Sequence, residues 1–356
     1  MKSNRKIKTL ILGILFFVLP IFMTNLYFKN AEFSNEIRLD NDNLKISKLS
    51  GKIHIDDTNP AMNWTVARDA GICTGNGTYS DPYVIEDLII NGGGSGDCIL
   101  IENSDVYFRI ENCMVYNSEI YPVVENWWNH FAGIRLLNVN NSLLLDNDCS
   151  SNNDGILVVG FNNTISGNTA NNNINGSGIY VGGYNNIFEG NTANNNDLTG
   201  IWLGGYNNTV SGNIAMNNSF FSIDIMLWSS NYNNVSGNIA GIYLLQSDYN
   251  TVSGNNATGI ALLLSDNNTI SGNTGNFRIY LQESDYNIVS GNDACWIENG
   301  DDCDGNVFSD NYGPCPPTEG EQLPIELIIL ISVISGGAAI GVATILLIRR
   351  KRKRKE

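Results

Sequence analysis

The sequence predicts an all-β chain wound as a right-handed parallel β-helix, with an N-terminal signal segment and a C-terminal transmembrane helix. Three observations predict the coil. A phrase recurs, as NNTISGN at Asn162–Asn168, NNIFEGN at Asn185–Asn191 and NNTVSGN at Asn207–Asn213, with further copies ending at Asn238, Asn255, Asn273, Asn292 and Asn311. Between phrases a glycine opens a short apolar alternation, as in Gly155-Ile156, Gly178-Ile179, Gly200-Ile201 and Gly241-Ile242. No helical apolar period runs through this region, whereas period-two alternation does.

One such unit cannot bury its own apolar face. Coiling lets each short strand pair with its copy one turn later, so backbone groups are satisfied between rungs and the stacked Ile, Val and Leu form one core. From Asn147 onward the closing asparagines lie 17 to 25 residues apart. About ten rungs at roughly 4.8 Å each give a rod of about 45–50 Å. The asparagines at 168, 191, 213, 238, 255, 273, 292 and 311 follow corners where Gly and Asn tolerate left-handed geometry. Stacked on one another, they are expected to form a structural ladder.

The remaining elements follow in chain order. Lys2, Arg5, Lys6 and Lys8 precede an apolar run from Thr9 to Met23, so residues 1–28 read as a signal peptide or a retained N-terminal anchor. Residues 29–50 are a linker, 51–96 the N-terminal cap and 97–313 the coil with a Cys-rich C-terminal cap. An open coil needs such caps because its end strands are unpaired. Pro314, Pro316 and Pro317 stiffen a stalk over 314–322. Residues 323–348 are apolar apart from Glu326, long enough to cross a membrane, and followed by seven consecutive cations from Arg349 to Lys355. This predicts a single-pass cell-membrane protein with its β-helix outside.

Lys29–Gln322 holds nine basic residues against 34 acidic ones, and the whole chain has a formal net charge of −16. Such a surface cannot neutralise phosphates, which excludes nucleic acid as a partner. In an oxidising compartment, disulfides are expected among Cys73, Cys98, Cys113, Cys295, Cys303 and Cys315, with Cys149 making the count odd. Ten N-x-[ST] sequons, Asn63 and Asn76 among them, would accept glycans in a host that glycosylates secreted chains.

The NNTISGN phrases and the GIY-type runs resemble the parallel β-helix repeats of the NosD-like family over about Asp97–Asn311. The stretch from Gly71 to Ser104 also looks like the front of archaeal cell-surface β-helix proteins. The resemblance implies the fold, and a repertoire of carbohydrate binding or sugar hydrolysis. The family's name also implies copper, yet His54 and His130 are the only histidines and the methionines are scattered, so no copper site is expected.

Three groups are candidates for binding. The insertion over 117–131 carries Trp127, Trp128, His130 and Phe131, and an aromatic loop that breaks the repeat suits recognition. A turn column of Phe161, Tyr184, Tyr206, Tyr232, Tyr249 and Tyr286 would either offer flat rings to sugars or stack on itself. Asp248, Asp266 and Asp285 recur at 18 and 19 residues, and calcium is the one ion such a column of carboxylates suggests. No catalytic constellation is legible: Arg109, Arg135 and Arg278 lie on different rungs, and the adjacent pair Asp301-Asp302 sits in the rear cap beside cysteines. The expected function is therefore a membrane-anchored surface protein that binds carbohydrate or cell-envelope glycans, or mediates adhesion, without catalysis. A polysaccharide lyase or glycoside hydrolase, and a structural envelope component, are the alternatives.

Overall fold

The computed structural model describes residues 48–120, 130–219, 223–275, 277–300 and 302–313. All of them lie in the larger of two compact units, Ile46–Glu356. Their strands form a three-sided parallel coil, right-handed as parallel crossovers are.

The first face is an eleven-stranded sheet. Its strands are β2 (Ile53–Asp56), β5 (Ile99–Ser104), β8 (Ala132–Asn140), β10 (Asp154–Phe161), β12 (Ile179–Tyr184), β14 (Ile201–Tyr206), β16 (Ile225–Trp228), β18 (Ile239–Leu245), β20 (Asn256–Leu263), β22 (Phe277–Gln282) and β24 (Ala294–Asn299). The second face has eleven shorter strands. They are β3 (Tyr83–Glu86), β6 (Phe108–Glu111), β9 (Ser142–Leu145), β11 (Thr164–Ser166), β13 (Ile187–Glu189), β15 (Thr209–Ser211), β17 (Asn234–Ser236), β19 (Thr251–Ser253), β21 (Thr269–Ser271), β23 (Ile288–Ser290) and β25 (Val307–Ser309). The third face begins as β1 (Lys48–Ser50), β4 (Leu88–Asn91) and β7 (Met114–Tyr116) and continues as single parallel bridges from Met114–Asp148 to Asn256–Thr274. Coiled strands therefore begin at the end of the segment that reads as a linker and run through the one that reads as a cap.

Register follows the alternation. Ile134, Ile156, Ile179, Ile201 and Ile225 are direct cross-strand neighbours and fully buried. Small residues at Ala170, Ala193, Ala215 and Ala240 fill the narrow third side. Residues between these inward positions point out, because strand side chains alternate faces.

Asparagine columns hold the corners. Asn147, Asn168, Asn191, Asn213, Asn238, Asn255, Asn273, Asn292 and Asn311 are linked one to the next. Each backbone N–H donates to the carboxamide oxygen of the next rung at 2.8–3.1 Å. A second column runs from Asn163 to Asn306, and a shorter one passes through Asn152, Asn173, Asn196 and Asn218 to Asp224. The left-handed corner itself lies at the start of each phrase, where Asn162, Asn185, Asn207, Tyr232, Tyr249, Asn267 and Tyr286 have φ of +56° to +59°, and at the phrase's glycine.

The front of the coil is closed by α1 (Trp64–Asp69), whose N-cap Asn63 accepts a hydrogen bond from the Val66 N–H. Trp64 is buried, stacks on Tyr83 at 4.9 Å and donates from Nε1 to the Ser104 hydroxyl at 2.8 Å. An apolar plug with one satisfied polar atom thus covers the open end of the core.

The expectation of a membrane anchor is corrected here. Among the described residues no helix is long and apolar enough to cross a membrane. The helix α1, with six residues, extends about 9 Å at about 1.5 Å per residue, against a hydrocarbon core of about 30 Å. Residues 323–348, on which the expectation rested, lie outside the described residues, as do 1–47 and the stalk. The single span, the membrane as partner and the single-pass cell-membrane location are accordingly withdrawn.

Candidate active site

The outer face of the first sheet carries two neighbouring columns of interest. Pairing in register places Asp97, Ala132, Asp154, Ser177 and Thr199 one above another, and beside them Leu100, Arg135, Leu157, Tyr180 and Trp202. Polar side chains from separate rungs meet there.

His130 enters from the segment before β8. Its Nδ1 lies 3.2 Å from Asp154 Oδ2, and both side chains are buried, at 7% and 3% exposure. Asp154 Oδ1 accepts the Ser177 N–H at 2.6 Å. A carboxylate fixed from the backbone thus holds the imidazole through Nδ1, and in the tautomer where Nδ1–H donates, Nε2 is left as the proton acceptor.

Asp97 lies in the same column. Its Oδ1 accepts the Ala132 N–H at 2.7 Å, and its Oδ2 lies 3.5 Å from Arg135 Nη1. Burial pushes the Asp97 carboxyl upward, more than the Ala132 N–H and the Arg135 charge draw it down. At 3.5 Å the guanidinium is a loose partner, and desolvation prevails.

Tyr180 projects from the next column, edge-on to Trp202 with ring centroids 4.4 Å apart. Its hydroxyl is pushed well above the usual phenol range by burial and then by the charge of Asp154. A phenol so placed keeps its proton at neutral pH and can donate a hydrogen bond. The patch therefore combines an oriented imidazole, a protonated phenol and a guanidinium, which is an acid–base set with a cation beside it.

Sequence reasoning named His130 as a ligand-binding residue and noted Arg135 as isolated, but did not join them. Asp97, Asp154 and Tyr180 were missed because they lie on different rungs and share no linear motif. The signal available was register: counting from the Ile columns puts Asp154 directly above Ala132 and two rungs from Asp97.

The other candidates fall as follows. Trp127 and Trp128 lie outside the described residues, and Phe131 is half-buried. The turn aromatics belong to two columns, not one. Phe161, Tyr184 and Tyr206 stack at 4.9 and 5.1 Å. Tyr232 and Tyr249 stack at 5.0 Å one position further on, where Tyr286 also lies, its ring close against Gly305. The column of Phe161, Tyr184 and Tyr206 continues instead as Asn231, Asp248, Asp266, Asp285 and Asp304.

In that continuation each Asp backbone N–H donates at 2.7 Å to the side-chain oxygen of the rung before. Asp248, Asp266 and Asp285 thus form a hydrogen-bonded ladder. Among the described residues no group of three or more His, Cys, Asp or Glu converges as a metal site. Cys73, Cys98, Cys113, Cys149 and Cys303 are free thiols, Cys295 is half-buried, and Cys315 lies outside the described residues. His54 pairs with Glu102 at 2.8 Å on the exposed surface.

Residues 97–257 match the family described as a right handed beta helix region. No curated protein sequence matches the chain. The chain is similar in structure to the A-module of the Azotobacter vinelandii mannuronan C-5 epimerase AlgE4, with 14% identity over 67% of this chain and 74% of that one and a TM-score of 0.39. It is also similar to the periplasmic alginate epimerase AlgG, with 11% identity, 75% and 84% coverage and a TM-score of 0.27. Likenesses this distant carry no residue's role across. The chain is a right-handed β-helix, and nothing in these matches singles out the NosD-like group.

Proposed function

We propose that this chain is a polysaccharide-acting enzyme of the lyase type. This replaces the expected membrane-anchored, non-catalytic surface binder, whose anchor is withdrawn above. The carrying observation is the buried His130–Asp154 pair, set on one outward face with Tyr180 and with Asp97–Arg135. The NosD-like cast of the repeat phrases, a group that includes sugar-acting β-helices, accords with this reading.

Each group has a role in β-elimination at a uronate. His130 Nε2 takes the proton from the carbon next to the carboxylate, and Asp154 stabilises the imidazolium that results. Arg135 stabilises the negative charge that develops on the carboxylate. The electron pair left on carbon forms the new C=C bond and expels the glycosidic oxygen, which takes its proton from the Tyr180 hydroxyl. Glycoside hydrolysis fits less well. It needs two carboxyl groups turned to the sugar, and here Asp97 and Asp154 are each committed to a backbone N–H and to a cationic or imidazole partner.

The test is turnover of uronate-containing polysaccharides by the full chain, read as ultraviolet absorbance of the unsaturated product. His130→Gln and Tyr180→Phe should each lose on the order of 10²–10⁴-fold in rate while keeping the wild-type melting temperature within a few degrees. Undiminished turnover in both variants would remove the reading.

A further inference from the structure

Beyond the acid–base patch, the outer face of the first sheet contains a place without side chains. Gly182 in β12 and Gly204 in β14 are direct cross-strand neighbours at an outward position. A Cβ on Gly182 would meet only Val159 Cγ2, at 3.8 Å, and one on Gly204 only the Val181 carbonyl oxygen, at 3.7 Å, among the described residues. Most glycines of the coil are different. At Gly155, Gly178 and Gly200 a Cβ would run into backbone or side-chain atoms at 2.6–2.7 Å, so packing demands glycine there. At Gly182 and Gly204 there is room for a side chain, and its absence opens a trough.

Aromatic rings flank the trough on both sides. Two residues before the glycines are Tyr180 and Trp202, and two residues after them are Tyr184 and Tyr206. Tyr184 and Tyr206 stack at 5.1 Å, and Tyr206 is 48% exposed. Along the coil axis the floor runs from the exposed Val159 to the half-buried Trp228. At about 3.3 Å per residue and about 4.8 Å per rung, the Cα frame is about 13 Å by about 14 Å. No Asp, Glu, Lys, Arg or His stands at any of these positions. Such a setting suits the C–H face of an uncharged pyranose against aromatic rings.

Tyr180 belongs to both places, as the phenol of the acid–base patch and as a wall of the trough. We infer that the trough is a glycan subsite for an uncharged sugar adjoining the reacting uronate, and that the substrate is a mixed acidic and neutral polysaccharide, not a homopolyuronate. The inference rests on the lyase reading for the uronate. Its second support is electrostatic. A chain of formal net charge −16 repels a polymer charged on every ring more than one charged on alternate rings.

The experiment compares hyaluronan, which alternates glucuronate with N-acetylglucosamine, with polygalacturonate. Binding, turnover and melting temperature are measured on the full chain and on His130→Gln, Gly204→Val and Tyr206→Ala. The expected result is tighter binding of hyaluronan than of polygalacturonate. His130→Gln should bind hyaluronan as the wild type does while losing turnover. Gly204→Val should bind at least tenfold more weakly, and Tyr206→Ala, which adds no bulk to the sheet, should repeat the loss should the valine variant melt early. Wild-type binding by both Gly204→Val and Tyr206→Ala, or equal preference for polygalacturonate, overturns the subsite and leaves the lyase reading standing where His130→Gln loses turnover. Neither binding nor turnover of either polymer overturns both.

Discussion

The Asn218 side-chain amide donates to Asp224 Oδ1 at 2.9 Å, so the shortest asparagine column ends on a carboxylate. Asp224 Oδ2 also accepts the Gly241 N–H at 2.9 Å, and the residue is buried. Burial raises the Asp224 carboxyl above its usual 3.8, against the pull of the Gly241 N–H and of Asn218. A raised carboxyl favours the folded state when protonated. That contribution is fully present below the usual value and is lost as pH rises through the raised one. Wild type should therefore gain stability relative to Asp224→Asn as pH falls from neutral to below about 4. Melting curves of both proteins across that range check it, and a pH-independent difference would refute the assignment.

Asn213 sits in the middle of the longest column. Its amide donates to Phe188 O and Asn238 Oδ1, and its own Oδ1 accepts from the Asn191 N–H, each at 2.9–3.0 Å. Asn213→Ala strands buried donors and acceptors on two neighbouring rungs. The expected cost is about 2–5 kcal/mol, or a melting temperature lower by about 5–15 °C. Asn185→Ala, at an exposed left-handed corner, should cost only about 1–2 kcal/mol. Thermal melting of the two variants side by side tests the ranking.

In the aspartate ladder each oxygen that holds a neighbouring N–H is one that asparagine also has. Carboxylates one rung apart, about 4.8 Å, repel one another. Replacing Asp248, Asp266 and Asp285 together by Asn should keep the ladder and relieve that repulsion. Without added calcium and at low salt, the melting temperature should rise by about 2–4 °C. A fall would show that the charges do more than hold corners.

Buried thiols should resist modification. Burial pushes Cys98 up to about 12 and both Cys73 and Cys113 up to about 11, so at pH 8 each is protonated and out of reach. Peptide mapping after alkylation should find Cys73, Cys98, Cys113 and Cys149 unlabelled in the folded chain and labelled in denaturant. Labelling of Cys98 under native conditions would mean that the front rungs open readily.

The fold was legible because it is local and repeated. A phrase such as NNTVSGN carries its corner glycine, its inward valine and its ladder asparagine in one span, and each copy repeats the message. The site was illegible for the opposite reason. Asp97, His130, Arg135, Asp154 and Tyr180 meet only after rungs of unequal length are brought into register. The split of the tyrosines had the same source. Tyr206 ends a strand and stacks with Tyr184, whereas Tyr232 occupies a left-handed corner, a place where tyrosine is costly and so not anticipated. The anchor inferred from the apolar run at 323–348 and the cations that follow it found no counterpart among the described helices.

Rungs of 17 residues and of 25 residues feed the same asparagine column without disturbing its spacing. The paired strands of the longer rung keep their register, so the surplus falls in the connections, and the column fixes where each circuit closes. A gene encoding such a chain can lose or duplicate one whole circuit at an NNTVSGN boundary and still specify a continuous interior. Tyr180 ties the glycine trough to the His130 patch, so circuits gained or lost beyond β14 would leave the two together and change the length of the outer face in steps of about 4.8 Å. Selection could then tune the reach of this protein along a polymer as a ruler is cut, by whole divisions.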